Sequence, residues 1–145
     1  MTHDKLLEGG TAKVLDIYAR TIYGEARGES WTGKLAVAWT IRNRADRPNW
    51  WGKTITEVCL KPWQYSCWLH DDPNSAILRA VTLEDAKFRE CLAAACLVYN
   101  KAMGDPTSGA THYYALSMDK PPKWAASMKA LTVIGGHRFY RDKAT

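Results

Sequence analysis

The hexapeptide Gly24-Glu25-Ala26-Arg27-Gly28-Glu29 closes one amphipathic helix and precedes another, and this junction constrains the chain most. Ahead of it, Val14, Ile17, Tyr18 and Ile22 recur at spacings of three and four residues, the period of a single helix face. Glu25 therefore projects near the edge of the buried stripe. A carboxyl half sunk among aromatic side chains resists ionisation, which is the preparation a general acid needs. On this stretch alone, Glu25 and Glu29 also read as ordinary surface residues at a helix end.

The pattern predicts a mainly helical α+β chain. The first helix runs from about Thr11 to Glu25. Ser30 caps a second, from about Trp31 to Ala45, with Leu35, Val37, Ala38, Trp39 and Ile41 as apolar positions. Thr54-Ile55-Thr56-Glu57 has capping-box form and starts a short helix through Leu60. Asn74 to Val81 suggests another. Thr82-Leu83-Glu84-Asp85 is read as opening the longest helix, through Leu97 and Val98 to Met103, with Gly104 as its stop and Pro106 beyond. The last third turns β-leaning at Thr111–Leu116 and Leu131–Ile134. Gly135-Gly136 before His137–Arg141 reads as a hairpin turn, so a small antiparallel sheet of two or three strands is expected there.

The chain has 145 residues, the length of one domain, and its 46% hydrophobic and 24% charged content is ordinary for a globule. No run of 18 apolar residues exists, so no membrane-spanning helix is expected. Met1-Thr2-His3-Asp4-Lys5 lacks an apolar secretory core, which implies synthesis in a cytoplasm without a signal peptide. The net charge is +5, and six Lys or Arg stand against two Asp from Met118 to Thr145. Such a surface suits an anionic partner or simply aids solubility. Cys59, Cys67, Cys91 and Cys96 form no Cys-x-x-Cys signature. Cys91 and Cys96 read as small core residues, and a Cys59–Cys67 pair would need an oxidising compartment.

Trp50, Trp51, Trp63 and Trp68 fall within nineteen residues of loop-like sequence, with Gln64, Tyr65 and Ser66 between them. Flat apolar faces beside amides and hydroxyls suit sugar rings, stacked single-stranded bases or a small structural core. Asn43-Arg44 closes the second helix, where Arg44 could pair with Glu25, Glu29 or Asp46. Asp105-Pro106-Thr107-Ser108-Gly109 is a tight turn leading into a strand that carries His112 and Tyr113.

These segments, in this order, resemble the SleB-like cell-wall hydrolases, the family of the spore-cortex-lytic enzymes, which also includes phage endolysins. The matching stretches are Tyr23–Glu29, Ala36-Val37-Ala38 with Asn43-Arg44, Thr54-Ile55 with Val58, and Gln64-Tyr65-Ser66. Asp105-Pro106-Thr107 with Gly109-Ala110, and Ile134-Gly135-Gly136-His137 with Phe139-Tyr140, complete the set. The resemblance covers residues from about 11 to 141 and implies one lysozyme-like catalytic domain over residues 1–145, acting on peptidoglycan glycan strands. It implies Glu25 as catalytic acid. The family's best-known members cut the β-1,4 bond after N-acetylmuramic acid by lytic transglycosylation, leaving a 1,6-anhydro end, which the resemblance implies here. Muramidase hydrolysis stays open beside it.

With that substrate, Glu29, Trp63, Gln64, Tyr65, Ser66, Thr107, Tyr113 and His137 are the expected substrate-binding residues. A retaining or inverting hydrolase needs a second carboxylate, and Glu29, Asp105 and Asp119 are unmarked candidates, so a single acid suits transglycosylation. No metal or cofactor, nucleic-acid partner or stable membrane insertion is expected, and the protein is expected to be a monomer. The setting implied is that of a phage or prophage lysis protein, made in the host cytoplasm and acting on periplasmic peptidoglycan. Two rivals remain. A zinc amidase would use His112 and His137 with Cys67, His70 or Asp105, a spacing that matches no compact metal motif. A non-enzymatic single-strand binder would use the basic tail and the tryptophan loop.

Overall fold

Helix α1 (Thr11–Ala26) buries the predicted stripe, with Tyr18, Ala19 and Ile22 wholly inaccessible to solvent. The computed structural model describes residues 10–143, so the N-terminal pentapeptide and the last two residues of the basic segment lie outside the described residues. Ser30 caps α2 (Trp31–Asp46) as expected, its hydroxyl accepting the Gly33 N–H at 3.2 Å. This helix is more than amphipathic: Gly33 through Ile41 are all buried. A helix buried on every side is the axis around which the others pack. The Tyr18 hydroxyl donates to the Ala38 carbonyl, tying α1 to it. Buried Lys34 is accommodated by Glu90 Oε1 at 2.9 Å and the Glu29 carbonyl at 2.8 Å.

Thr54 caps α3 (Ile55–Leu60) through the Glu57 N–H, and Glu57 Oε1 reaches back to the Lys53 N–H at 2.9 Å. A 3₁₀ turn (Ser66–Trp68) leads to α4 (Pro73–Ala80), capped by Asp72 with proline at its first position. The last helix, α5 (Ala86–Tyr99), is shorter than its sequence suggests, and both α1 and α2 exceed it. Asp85, not Thr82, is its cap and accepts the Phe88 N–H at 3.0 Å. It ends before Gly104 because the Asn100 amide bonds the Cys96 carbonyl and Lys101 takes a left-handed φ of 54°.

Strands β1 (His112–Ala115), β2 (Met128–Ile134) and β3 (His137–Asp142) form an antiparallel sheet in the order β1-β3-β2. The hairpin forms where Gly135-Gly136 predicts it, with Ile134 opposite His137 and Gly135 at φ 56°. Phe139, fully buried, joins Ala110 and Ala36 to fix the sheet on α2. All four cysteines are free thiols, so Cys59 and Cys67 are unpaired. No helix among the described residues is long and apolar enough to cross a membrane.

Candidate active site

Glu25 sits in the last turn of α1, partly buried, where two other elements reach it. The Tyr113 hydroxyl, from β1, donates to its Oε1 at 2.5 Å. The Cys67 thiol, from the 3₁₀ turn, donates to the same carboxyl group. Desolvation pushes the Glu25 pKa up and outweighs the two hydrogen bonds and the field of Arg44, all of which favour the anion. The carboxyl group is thus held neutral to higher pH than a surface glutamate.

Local sequence explains both approaches. A Cβ at Gly24 would lie 2.7 Å from the Cys67 Cβ and 2.8 Å from its Sγ, so only glycine lets the Cys67 turn close onto α1. Asn74 then donates to the Gly24 carbonyl at 2.8 Å. On the other side, the end of α2 holds the start of β1. The Asn43 amide nitrogen bonds Asp105 Oδ2 and the Ala110 carbonyl, both at 2.9 Å. Arg44 Nε bonds the Thr111 carbonyl at 2.6 Å, and Arg47 bonds the Gly109 carbonyl at 2.8 Å. These contacts fix the strand that carries Tyr113.

Tyr113 also lines a groove of about 400 Å³ with Arg44, Trp50, Trp63, Gln64, His112 and Trp124. Glu25 lies behind the Tyr113 hydroxyl and meets this groove through it. A larger groove of about 920 Å³ runs between α1 and α5 and contains none of the side chains that bond Glu25.

The expected substrate-binding residues divide. Trp63 is 81% exposed at φ 69° and stands as a ridge beside the groove. Gln64 borders it but spends its amide nitrogen on the Val58 and Trp51 carbonyls. Tyr65 is a correction: it is 5% exposed and belongs to the core, with Arg44 stacked 5.9 Å from its ring. Thr107 is another. It is fully buried, and its hydroxyl donates to Asp105 and accepts from Ala110, so it shapes the turn and cannot meet a ligand. Ser66 is exposed but opens the 3₁₀ turn outside the groove lining. The four clustered tryptophans do not form one wall. Trp51 is buried with its Nε1 on the Arg44 carbonyl, and Trp68 bonds Thr21.

Glu29 faces the hairpin: its Oε1 accepts the Gly136 N–H at 3.0 Å and lies 4.0 Å from His137 Nδ1. His137 is buried edge-on to Tyr113 at 4.9 Å, and burial lowers its pKa. Among the described residues no three His, Cys, Asp or Glu side chains gather as a metal set. His112 instead bonds Thr111 and packs between Trp51 and Trp124, while the Asp105 oxygens serve Asn43, Thr107 and Gly109.

Sequence reasoning passes over Trp124, a half-buried tryptophan, as a site residue, although it follows Pro121-Pro122 in loop-like sequence, as exposed Trp50 and Trp63 follow prolines. Cys67 carried no signal, since only the fold brings it to Glu25. Arg44 was legible only as one possible partner of several acids.

The model of the Cell Wall Hydrolase family matches residues 28–140, beginning three residues after Glu25. The spore cortex-lytic enzyme of Halalkalibacterium halodurans is 28% identical over 130 residues, which are 86% of this chain. The chain spans about a third (34%) of that relative's length. The catalytic domain of the germination-specific lytic transglycosylase SleB from Bacillus anthracis superposes with a TM-score of 0.67 at 24% identity, covering 88% of this chain and 93% of that one. The catalytic domain of the Bacillus cereus SleB protein gives 0.66 at 24% identity, covering 88% and 89%. At that identity the two structures share the fold. With the family model spanning most of its length, the chain belongs to the cell wall hydrolase family.

Proposed function

We propose that this domain is a peptidoglycan glycosidase that cleaves the β-1,4 bond between N-acetylmuramic acid and N-acetylglucosamine, with Glu25 as general acid. The observation that carries it is the Tyr113–Glu25 hydrogen bond, which sets a partly buried, charge-averse carboxyl group beside an aromatic groove. Glu25 gives its proton to the glycosidic oxygen as the C1–O bond breaks. With Tyr113 donating to Oε1, the acidic proton is left to Oε2.

The other acids considered for a second carboxylate are engaged or exposed: Glu29 holds the hairpin, Asp105 the turn before β1, and Asp119 faces solvent. This supports lytic transglycosylation. The muramyl C6 hydroxyl attacks C1, the O6–C1 bond closes the 1,6-anhydro ring, and the hydroxyl proton returns to the Glu25 carboxylate. In a phage or prophage setting the substrate is the periplasmic wall of a Gram-negative host, and clearing of outer-membrane-permeabilised cells tests that setting.

Digestion of purified sacculi, read by mass spectrometry, tests the reaction. Wild-type protein is expected to release 1,6-anhydro-muramyl ends and Glu25→Gln none. Reducing ends would assign hydrolysis instead. Release of peptide stems, lost on chelation, would assign the zinc amidase, and undiminished cleavage by Glu25→Gln would remove Glu25 from its role.

A further inference from the structure

Arg44 is a buried cation that the described residues leave without an acidic partner. It is 8% exposed, and its Nε is spent on the Thr111 carbonyl at 2.6 Å. The guanidinium carbon lies 5.3 Å from the Trp51 ring and 6.0 Å from that of Trp50. Aromatic faces stabilise a cation but do not accept its remaining in-plane N–H groups. Arg44 makes no ion pair among the described residues, whereas Lys34, more buried still, has Glu90 at 2.9 Å. A largely buried, unpaired cation is costly unless something supplies its counter-charge. Glu25 does not supply it in the glycosidase reading, because that acid works in its neutral form.

Arg44 opens onto the aromatic groove, whose lining contains no Asp or Glu. A planar fork of N–H donors at the base of such a groove matches a carboxylate, which it can hold bidentately. We propose that the groove is an anion-reading subsite, in which Arg44 binds a carboxylate carried by the glycan while Trp50, Trp63 and Trp124 cover the sugar faces. The inference rests on the glycosidase reading and names its substrate feature. Muramyl glycan offers such a carboxylate from two sources: the lactyl group of a stem-free residue, or the peptide stem.

The test is a titration of intrinsic tryptophan fluorescence, using the full chain with Glu25→Gln to prevent turnover. The probes are a stem-free N-acetylglucosaminyl-N-acetylmuramyl tetrasaccharide, its lactyl methyl ester, and the same glycan bearing peptide stems. A charge-assisted bidentate contact is expected to make a carboxylate form at least about tenfold tighter than the ester. Tight binding of the stem-free acid assigns the lactyl source; tight binding of the stem-bearing glycan alone assigns the stem. Adding Arg44→Gln is expected to bring the ratio of acid to ester close to one. Equal binding of ester and both carboxylate forms overturns the proposal, as does a preference that survives Arg44→Gln. If Arg44→Gln fails to fold, the three probes with Arg44 intact decide, and equal binding of the ester and both carboxylate forms sinks the subsite. Sacculus digestion by wild-type protein, and its loss in Glu25→Gln, judges the glycosidase reading separately.

Discussion

At the scale of the residue, Glu25 is a compromise between two demands. Its burial raises the pKa, while Tyr113 and Cys67 donate to it and draw the pKa back. Removing a donor therefore has a definite sign. Tyr113→Phe is expected to raise the Glu25 pKa further, so that the alkaline limb of the pH–rate profile moves to higher pH while the maximal rate falls. A structural role alone would lower the rate without moving the limb. The raised pKa also affects stability. Relative to an unfolded glutamate, the folded state favours the proton, so this contribution is complete below the unfolded pKa and is lost as pH rises through the folded one. Glu25→Gln keeps an acceptor for Tyr113 and removes the buried charge. Its melting temperature is expected to exceed that of wild type at pH 8, with the gap closing towards pH 4, as measured by thermal melts.

At the scale of the element, the local signals and the observed helices agree where a side chain caps its own backbone. Ser30 and Thr54 each mark a start because their oxygens accept N–H groups three residues on, within reach of sequence reasoning. The last helix differs from its sequence reading at the start because Thr82 and Asp85 both offer caps three residues apart and Asp85 is the one that caps it, and at the end because Asn100 and the left-handed Lys101 stop it before Gly104. The hairpin was legible from Gly135-Gly136. In the candidate site, sequence singles out Glu25 and Tyr113, which the fold brings into one hydrogen bond, but the role of Thr107 is not legible: a hydroxyl serving a turn looks the same in sequence as one serving a ligand. Gly24 shows what sequence cannot reveal, since its necessity arises from a turn more than forty residues away. Gly24→Ala would force its methyl group against Cys67 and Leu78, each within 2.8 Å. Overpacking of this kind costs about 1–3 kcal/mol. The expected outcome is a lowered denaturation midpoint at unchanged m-value, together with a loss of activity larger than the loss of folded protein, because Cys67 is displaced from Glu25.

At the scale of the whole molecule, the groove and the acid lie where three bodies converge: the end of α1, the end of α2 and the first strand of the sheet. The sheet is held to the helices through Arg44, Asn43 and the cluster of Ala36, Ala110 and Phe139, so the groove is rigid only while that seam is closed. His112 lies in the seam between Trp51 and Trp124, and makes it sensitive to acid. Burial, with the positive field of Arg44, lowers its pKa from 6.5 to about 4, against a smaller opposing effect of Asp142. The folded state thus binds fewer protons at His112 than the unfolded state does. Its neutral form supports the fold fully above pH 6.5, and that support is lost as pH falls through about 4. Wild-type protein is therefore expected to lose denaturation free energy between pH 6.5 and pH 4, with His112→Gln showing a shallower slope over the same interval. Because the seam also carries Tyr113, binding of a groove ligand, read by tryptophan fluorescence, is expected to weaken over that interval in wild type and less so in His112→Gln. Parallel slopes for the two proteins would assign the acid sensitivity to other groups and leave His112 as packing alone.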